Sequence, residues 1–171
     1  VTDYPAYIQH SVAVFDGTTW VTIWTTAGAG AVTILDTAWQ SISLDVSAYA
    51  NPGFRVRFSM SVVSNSAFAS PSWNLDNVRV AVDANDHLCF ADDFASGNSR
   101  GWTLGPLWQI GNAVPYAASN NGFTGDPATD GDGTPGGGLA GVVIGGATNP
   151  NTPQALSSLQ SPIITLTPGV Q

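Results

Sequence analysis

The chain contains no glutamate and no lysine, so two strong helix formers are missing from its 171 positions. All twelve acidic residues are Asp and all four basic residues are Arg. Gly, Pro, Thr, Ser, Asn, Val and Ile, which favour turns and strands, are abundant instead. The composition therefore predicts an all-β protein with almost no helix. Its apolar content of 43% is sufficient for a buried core.

Positive charge is also scarce, and the formal net charge is −8. Only Arg55 and Arg57 lie close together in sequence, whereas nucleic-acid binding needs clustered basic residues that neutralise phosphates. The charge balance therefore argues against nucleic acid and against an anionic membrane surface as partners. The longest apolar run, Leu139 to Ala147, is rich in glycine and far too short to span a bilayer, so we expect no membrane insertion.

Cys89 is the single cysteine, which excludes a disulfide bond within the chain. Its position between Leu88 and Phe90 favours a small buried hydrophobic residue, with an intermolecular disulfide as the alternative. A chain rich in Asp, Thr and Gly, and without lysine, is what we expect of a secreted bacterial protein. We therefore expect an extracellular or cell-surface location.

Hydrophobic and polar residues alternate along the first half of the chain. Ile8 to Val14 forms one such run, and an Asp-Gly turn then leads into Trp20 to Trp24, which predicts a β-hairpin. Two further runs, Trp39 to Val46 and Phe54 to Val62, place aliphatic residues on one face and polar residues on the other. Period-two alternation with a polar outer face is typical of antiparallel strands that pack on one side only.

The second half has shorter predicted strands and one long segment, from Asn112 to Gly138, that is rich in Gly, Asn, Asp and Pro. Loops of this length inside a compact domain are usually functional or held by something. We therefore expect a bound ion to hold this segment. The strands predicted around it are Cys89–Phe94, Trp102–Ile110, Leu139–Ile144 and Ala155–Leu166.

The chain carries two sets of motifs in an unusual order. The runs DYPAYIQHSVAVFDGTTWVTIW, AWQSISLDVSAYA, FRVRFSMSV and WNLDNVRV precede the runs DDFASGNSRGWT, LWQIG, GDPATDGDG, GLAGVVIGG and LQSPIITL. The first set resembles the C-terminal part, and the second set the N-terminal part, of MAM-like jelly-roll modules in secreted bacterial proteins. The resemblance covers nearly the whole chain and implies a jelly-roll-like antiparallel β-sandwich with its halves in permuted order. It assigns residues 1–82 to the C-terminal half, 83–88 to a junction and 89–171 to the N-terminal half.

Neither half can bury its hydrophobic face alone, so each must be completed by the same copy or by a neighbouring one. Modules of this type usually continue from a segment like SPIITL through another hydrophobic strand, and joining Gln171 to Val1 leaves too few residues for it. A vacant strand position exposes backbone groups that invite pairing with another chain. We expect copies to assemble head to tail into a filament or tandem array, with closure within one chain as the alternative.

The GDPATDGDG run is the best candidate for a bound ion. Asp126, Asp130 and Asp132 are closely spaced oxygen donors, and the glycines between them let backbone carbonyls approach. Such a donor set suits calcium, which takes roughly six to eight oxygen ligands. The alternative is that these residues only form Asx turns.

Further carboxylates could complete a structural calcium site. Asp92 or Asp93, on the strand that opens the second set of motifs, could join the site. Jelly-roll modules of this general kind often hold calcium near the first and last strands, so the resemblance implies Asp76 as another ligand. An EF-hand is excluded because the chain has no Glu to close such a loop.

Six tryptophans suggest a second function, in which aromatic faces stack on sugars. Trp20, Trp24 and Trp39 are all predicted on the face opposite the aliphatic residues, where an exposed group would make a carbohydrate-binding module. The structural alternative is that these rings pack between strands or under loops.

Catalytic motifs are missing from the sequence, which has neither HExxH nor GxSxG. His10 alternates with Ile8 and Val12 on an apolar face, which predicts a buried, hydrogen-bonded side chain, and His87 falls in the junction. We therefore expect a non-catalytic, extracellular structural or adhesive subunit. A carbohydrate-binding module is the alternative.

Overall fold

The computed structural model describes residues 2–3, 8–28, 34–63, 70–71, 73–81, 87–117, 125–148 and 154–166. These ranges contain antiparallel strands, one 3-10 turn at Ser47–Tyr49 and no α-helix, which confirms the predicted all-β fold. No helix in this part of the chain is long and apolar enough to cross a bilayer. The strands are β1 (Thr2–Asp3), β2 (Ile8–Phe15), β3 (Trp20–Thr25), β4 (Ile34–Leu35), β5 (Val56–Val62), β6 (Ser70–Pro71), β7 (Asn74–Leu75), β8 (Val78–Ala81), β9 (Leu88–Asp92), β10 (Thr103–Leu104), β11 (Trp108–Asn112), β12 (Gly138–Val142), β13 (Ala147–Thr148) and β14 (Gln154–Gln160).

The largest sheet has five strands in the order β10, β14, β5, β2, β3. β2 and β3 form the predicted hairpin. The carboxylate of Asp16 accepts hydrogen bonds from the backbone N–H groups of Thr18 and Thr19 at 2.8 Å in its turn. β5 pairs with β2 on one side and with β14 on the other. Because β14 belongs to the second half of the chain, this sheet is continuous across both halves.

The second sheet also contains strands from both halves, in the order β11, β12, β7. β12 pairs with β7 through Ala140 opposite Leu75 and Gly141 opposite Asn74. β8 and β9 form a separate antiparallel pair that joins the two halves once more. Residues 83–86, four of the six residues in the predicted junction, lie outside the described residues.

Aromatic side chains connect the two larger sheets. The ring of Trp73, just before β7, lies edge-on to His10 at 4.9 Å and to Phe58 at 5.9 Å between centroids. Trp108 of β11 lies 5.6 Å from Trp73 and donates its Nε1–H to the Ser157 carbonyl of β14 at 3.2 Å. The core therefore lies between the sheets in a sandwich-like arrangement.

The aliphatic faces predicted for the first half form much of this core. In β2 and β5 the inward residues are almost all buried, as the alternation predicted. Directly opposite residues in an antiparallel pair share a face, so the two strands present one continuous apolar surface. Its buried members are Ile8, Val12, Val14, Val56, Met60 and Val62.

The predicted strand from Trp39 to Val46 is wrong. The segment belongs to no strand, and Ile42, which was predicted to face inward, is 70% exposed. Leu44 and Val46 still pack partly against the core. Alternating burial requires only an extended segment with one side on the core, whereas a strand also needs a neighbour with free backbone groups.

The predicted strand from Trp102 to Ile110 is divided between the two sheets. β10 ends at Leu104, and the chain turns at Gly105, whose N–H donates to the Ser158 carbonyl at 2.7 Å. Trp108 then donates its N–H to the Gly105 carbonyl at 3.0 Å as β11 begins. A Cβ at Gly105 would lie 2.7 Å from the Ser158 nitrogen, so glycine permits this crossing.

A bulge in β3 determines which tryptophan faces the core. Trp24 pairs with Val12, but the next pair along joins Thr22 to Ala13, so Ile23 is an extra residue. Trp24 therefore lies on the core side with Val12. The prediction that Trp24 shares the outer face is wrong, because strict alternation does not survive a bulge.

Candidate functional site

The GDPATDGDG segment lies against Asp76, which directly follows β7. Oδ2 of Asp76 accepts the backbone N–H of Gly131, and Oδ1 accepts that of Asn77, both at 2.7 Å. A Cβ at Gly131 would lie 2.9 Å from Oδ2, so glycine permits the close approach. The side-chain amide of Asn77 donates to Asp132 at 2.9 Å. The structure thus brings together two of the three motifs from which calcium ligands were predicted.

Asp130 organises the turn within this segment. Its Oδ1 accepts the backbone N–H groups of Asp132 at 3.1 Å and Thr134 at 2.8 Å, so the Asx-type turn considered as the alternative is present. No described residue donates a hydrogen bond to its Oδ2, although Asp130 is only 8% exposed. The indole of Trp39 donates to the Thr129 carbonyl at 3.3 Å and covers the segment from one side.

Both carboxylate oxygens of Asp126 accept hydrogen bonds from residues outside the GDPATDGDG segment. Its Oδ1 accepts the side-chain amide of Asn74 at 3.1 Å, and its Oδ2 accepts the backbone N–H of Gly145 at 3.0 Å. These bonds tie the start of the segment to β7 and to the loop after β12. Asp126 therefore holds the segment in place at some distance along the chain from Asp130.

The carboxylates of Asp76, Asp130 and Asp132 lie close enough for the charges of Asp130 and Asp132 to repel that of Asp76. Burial raises the pKa of Asp76, hydrogen bonds from Gly131 and Asn77 lower it, and the charges of Asp130 and Asp132 raise it again. A divalent cation would relieve this repulsion, and carboxylate oxygen is the ligand that calcium prefers. However, no three acidic, histidine or cysteine side chains in the described ranges are placed to hold a metal ion. The segment has carboxylate oxygens of the kind that calcium binds, but most of them already accept hydrogen bonds from backbone N–H groups.

Asp92 and Asp93, the other predicted ligands, lie in a cluster with Arg100. Asp92 is buried, and its oxygens accept the indole N–H of Trp102 and the backbone N–H of Phe94, each at 2.9 Å. Arg100 lies 3.5 Å from Asp92 and 3.9 Å from Asp93, whose side chain is 56% exposed. A guanidinium group therefore balances the charge of these carboxylates.

A cavity of about 150 Å³ separates this cluster from the WNLDNV motif. Two of its lining residues, Asn77 and Arg100, have left-handed backbone conformations with φ of 51° and 43°. Small-molecule sites usually occupy about 300–1,000 Å³, so this cavity is too small to suggest one. Its lining residues are Asn77, Arg79, Ala91, Asp92, Asp93 and Arg100.

The three tryptophans predicted as a sugar platform are separated. Trp24 packs 6.1 Å from the buried Trp73 on the core side of the sheet. Trp20 lies on the outer face, and the guanidinium carbon of Arg57 stands 4.1 Å from its ring centroid. Trp39 lies beside the GDPATDGDG segment. Trp20 and Trp24 thus occupy opposite faces of β3 and cannot stack on one flat ligand together.

Sequence reasoning missed a cluster of arginines and aromatic rings on the outer face of the five-stranded sheet. Arg55 lies 4.5 Å from the ring centroid of Phe15 and 5.5 Å from that of Trp20, which Arg57 also covers. We call these four residues the arginine–aromatic cluster. The alternation in FRVRFSMSV placed both arginines on the outer face, but only the register of β5 against the hairpin shows which rings they meet.

Of the two remaining single-residue predictions, the one for His10 is confirmed and the one for Cys89 is wrong. His10 is buried at 2% exposure within the core, as predicted. Cys89 is exposed, so the prediction of a buried side chain is wrong. It occupies the exposed side of the two-stranded β8–β9 pair, while its neighbour Phe90 is half-buried and packs against the core. An intermolecular disulfide through Cys89 stays a prediction.

Comparisons of this chain with protein-family models, with curated proteins and with solved structures find no match.

Proposed function

We propose that this chain is a non-catalytic, extracellular structural or adhesive subunit with a permuted, jelly-roll-like sandwich. The observation that carries the proposal is the position of β5, between β2 of the first half and β14 of the second. Complementary halves suit a repeating structural unit, because the same strand pairs can form within a copy or between copies. The resemblance of both motif sets to MAM-like modules points to the same role.

The surroundings of the ionisable side chains support a structural role for them. Asp92, Asp126, Asp130 and His10 are all buried. The three carboxylates accept hydrogen bonds from Trp102, Gly145 and Thr134, and these bonds hold neighbouring segments of the chain in place. A general acid or base must instead reach a substrate within hydrogen-bond distance.

Head-to-tail assembly would reuse the strand pairs described above. In the structure the two halves pair within one chain. In an assembly, residues 89–171 of one copy take the same pairing with residues 1–82 of the next. This contact between copies is head to tail, so a row of copies always has one unpaired half at each end. Further copies can add to these halves, and the row extends into a filament. Closure within one chain competes with exchange, and high concentration favours exchange by mass action.

Analytical ultracentrifugation over a wide concentration range tests this assembly. We expect a 17.6 kDa monomer at high dilution and a series of its multiples as the concentration rises. A single monomer boundary at every concentration would contradict assembly by exchange. That result would leave a closed, self-contained module.

Calcium is the cofactor that we propose for the GDPATDGDG segment. Asp130 and Asp132 each keep one carboxylate oxygen that no described residue hydrogen-bonds, and Asp76 adds a third charge next to them. Calcium, when bound, would neutralise this charge and hold the segment against β7. Asp92, Asp93 and Asp126 are left out of the proposed ligand set because other groups occupy them.

Melting curves with chelator and with calcium test the proposed cofactor. We expect chelator to lower the melting temperature and calcium to restore it, because binding to the folded state adds about 2.7 kcal/mol at a hundredfold excess over Kd. Asp130→Asn should reduce the calcium-dependent shift, whereas the control Asp93→Asn should preserve it. Equal melting temperatures in chelator and in calcium would show that the segment is held by its turns alone.

A further inference from the structure

The two arginines of the arginine–aromatic cluster are held in fixed positions. Arg55 directly precedes the central strand β5, Arg57 lies within it, and the buried Val56 stands between them, so both arginine side chains lie on the outer face. Their guanidinium groups stand 4.1–5.5 Å from the ring centroids of Phe15 and Trp20. Stacking on aromatic faces restrains a side chain that would otherwise lose rotamer entropy on binding a ligand.

No described carboxylate forms an ion pair with Arg55 or Arg57. The chain as a whole carries twelve Asp residues and a net charge of −8, yet the described carboxylates leave these two arginines unpaired. Arg100, by contrast, lies within 4 Å of both Asp92 and Asp93. Two of the four arginines therefore present positive charge that the described part of the protein does not neutralise.

Both arginines also have unsatisfied donors. The Nε atoms of Arg55 and Arg57 are buried and have no hydrogen-bond partner among the described residues. Burial lowers the pKa of Arg57, which reflects the partial loss of water around its charge. A partly desolvated cation attracts an anion more strongly than a fully hydrated one does. Because both arginines are only half-buried, their guanidinium groups together form a prepared site for negative charge.

Polar residues lie next to the cluster on the same sheet. Arg57 is opposite Gln160 of β14, and the next row places Ser59 between Ser11 of β2 and Ser158 of β14. Ser59 is buried and its hydroxyl is bonded to that of Ser158 at 2.9 Å, so the partly exposed polar groups are Ser11, Ser158 and Gln160. Residues directly opposite one another share a face, so hydroxyl and amide groups continue from the two guanidinium groups along the sheet. Such groups both donate and accept hydrogen bonds, as sugar hydroxyls require.

We propose that this face binds an acidic polysaccharide, whose carboxylates contact Arg55 and Arg57 and whose hydroxyls contact Ser11, Ser158 and Gln160. The assignment rests on the adhesive role proposed above and specifies the class of ligand. Planar guanidinium groups match carboxylates in geometry as well as in charge. The central position of β5 on a sheet face suits a chain that binds through side-chain contacts.

Two other classes of anion fit the surface less well. An extended acidic peptide gains affinity by pairing its backbone with a strand edge, and both edges of β5 are occupied by β2 and β14. Nucleic acid binds by neutralising a series of phosphates, on the order of six to ten in typical complexes, and this face offers two arginines.

Titration calorimetry of the whole protein with oligogalacturonate tests the proposal. We expect binding that weakens with salt, and about tenfold weaker binding for Arg55→Gln or Arg57→Gln, because each removes charge-assisted hydrogen bonds. Arg57→Lys keeps the charge but loses the planar fork, so it should also weaken binding while its melting curve shows a folded protein. Arg79→Gln, which removes the same charge from an exposed site elsewhere, should bind like the original chain.

Three results would overturn the proposal. The first is no binding of oligogalacturonate by the folded original chain, and the second is an equal loss with Arg79→Gln, which would indicate a general charge effect. The third is equally tight binding of poly-aspartate, which would indicate an acidic peptide as the ligand. None of these results depends on the state of assembly, so sedimentation still tests the proposed function separately.

Discussion

At the scale of single residues, buried polar groups account for much of the local structure. Asp92, the last residue of β9, holds the loop that leads to β10, because it accepts the Trp102 indole N–H, the Phe94 backbone N–H and a long contact from Arg100. A buried acceptor of this kind is costly to remove, since its donors are left without partners away from water. Its neighbour Asp93 is largely exposed and makes a long contact with the same arginine.

This difference predicts opposite outcomes for two adjacent substitutions. Asp92→Ala should reduce the free energy of unfolding by about 3 kcal/mol, because it leaves the buried Trp102 indole and the buried Phe94 N–H without an acceptor. Asp93→Ala should change it by less than about 0.5 kcal/mol, as is usual for exposed ion pairs. Urea unfolding of both variants measures the two values, and equal losses would show that Asp92 has no special structural role.

Asp16 provides a pH-dependent contribution at the β2–β3 turn. Backbone N–H groups of Thr19 and Thr18 lower its pKa below the ordinary value of 3.8. The stabilisation is therefore present above pH 3.8 and is lost as the pH falls through the lower pKa of the folded state. We expect the gap in melting temperature between the original chain and Asp16→Ser to be constant near neutrality and to shrink in acid. A gap that widens in acid would contradict this assignment.

At the scale of strands and turns, glycines mark the places where segments approach most closely. A Cβ at Gly138, the first residue of β12, would collide with the Phe94 carbonyl and lie 2.7 Å from the Cα of Ala95. Neither atom can move without shifting backbone. At Gly111, on the paired strand β11, the nearest atom would be the Ile144 Cδ1 at 3.8 Å, which is ordinary contact.

Alanine at these two glycines should therefore have different effects. Gly138→Ala should cost about 3 kcal/mol of unfolding free energy, because overpacking against backbone cannot relax by side-chain rotation. Gly111→Ala should be neutral or slightly stabilising, since alanine reduces the entropy of the unfolded chain. Denaturant midpoints at a common slope measure both effects. A neutral Gly138→Ala would mean that the Phe94 segment does not approach β12 as described.

The sequence predicted strands well where alternation and pairing agree. β2, β3 and β5 follow from the period-two pattern, and all lie in the large sheet. The pattern failed at Trp39–Val46, which alternates without a neighbouring strand, and at Trp24, where one extra residue reverses the face. It also placed both cluster arginines outward without identifying their aromatic partners. Pairing and register depend on long-range contacts that a local pattern does not contain.

At the scale of the whole molecule, the two halves of the chain form one core. The central sheet, the second sheet and the β8–β9 pair each combine strands from before and after the junction. Motif order predicted that the halves need each other. It could not predict which strands would meet, because that depends on the packing of Trp73 and Trp108 between the sheets. The calcium ligands were likewise predicted as one group, and the structure divides them among three sets of hydrogen bonds.

The most direct test of this complementarity is a disulfide between Ser59 of β5 and Ser158 of β14. These residues are opposite in register, and their hydroxyl oxygens lie 2.9 Å apart. In the variant Ser59→Cys, Ser158→Cys, Cys89→Ala, mild oxidation of the folded protein should link the two positions, because paired strands bring Cβ atoms within disulfide range. Mass spectrometry should find the linked peptides at high dilution in a species of 17.6 kDa. Two thiols that stay free in the folded protein would contradict the pairing of the halves.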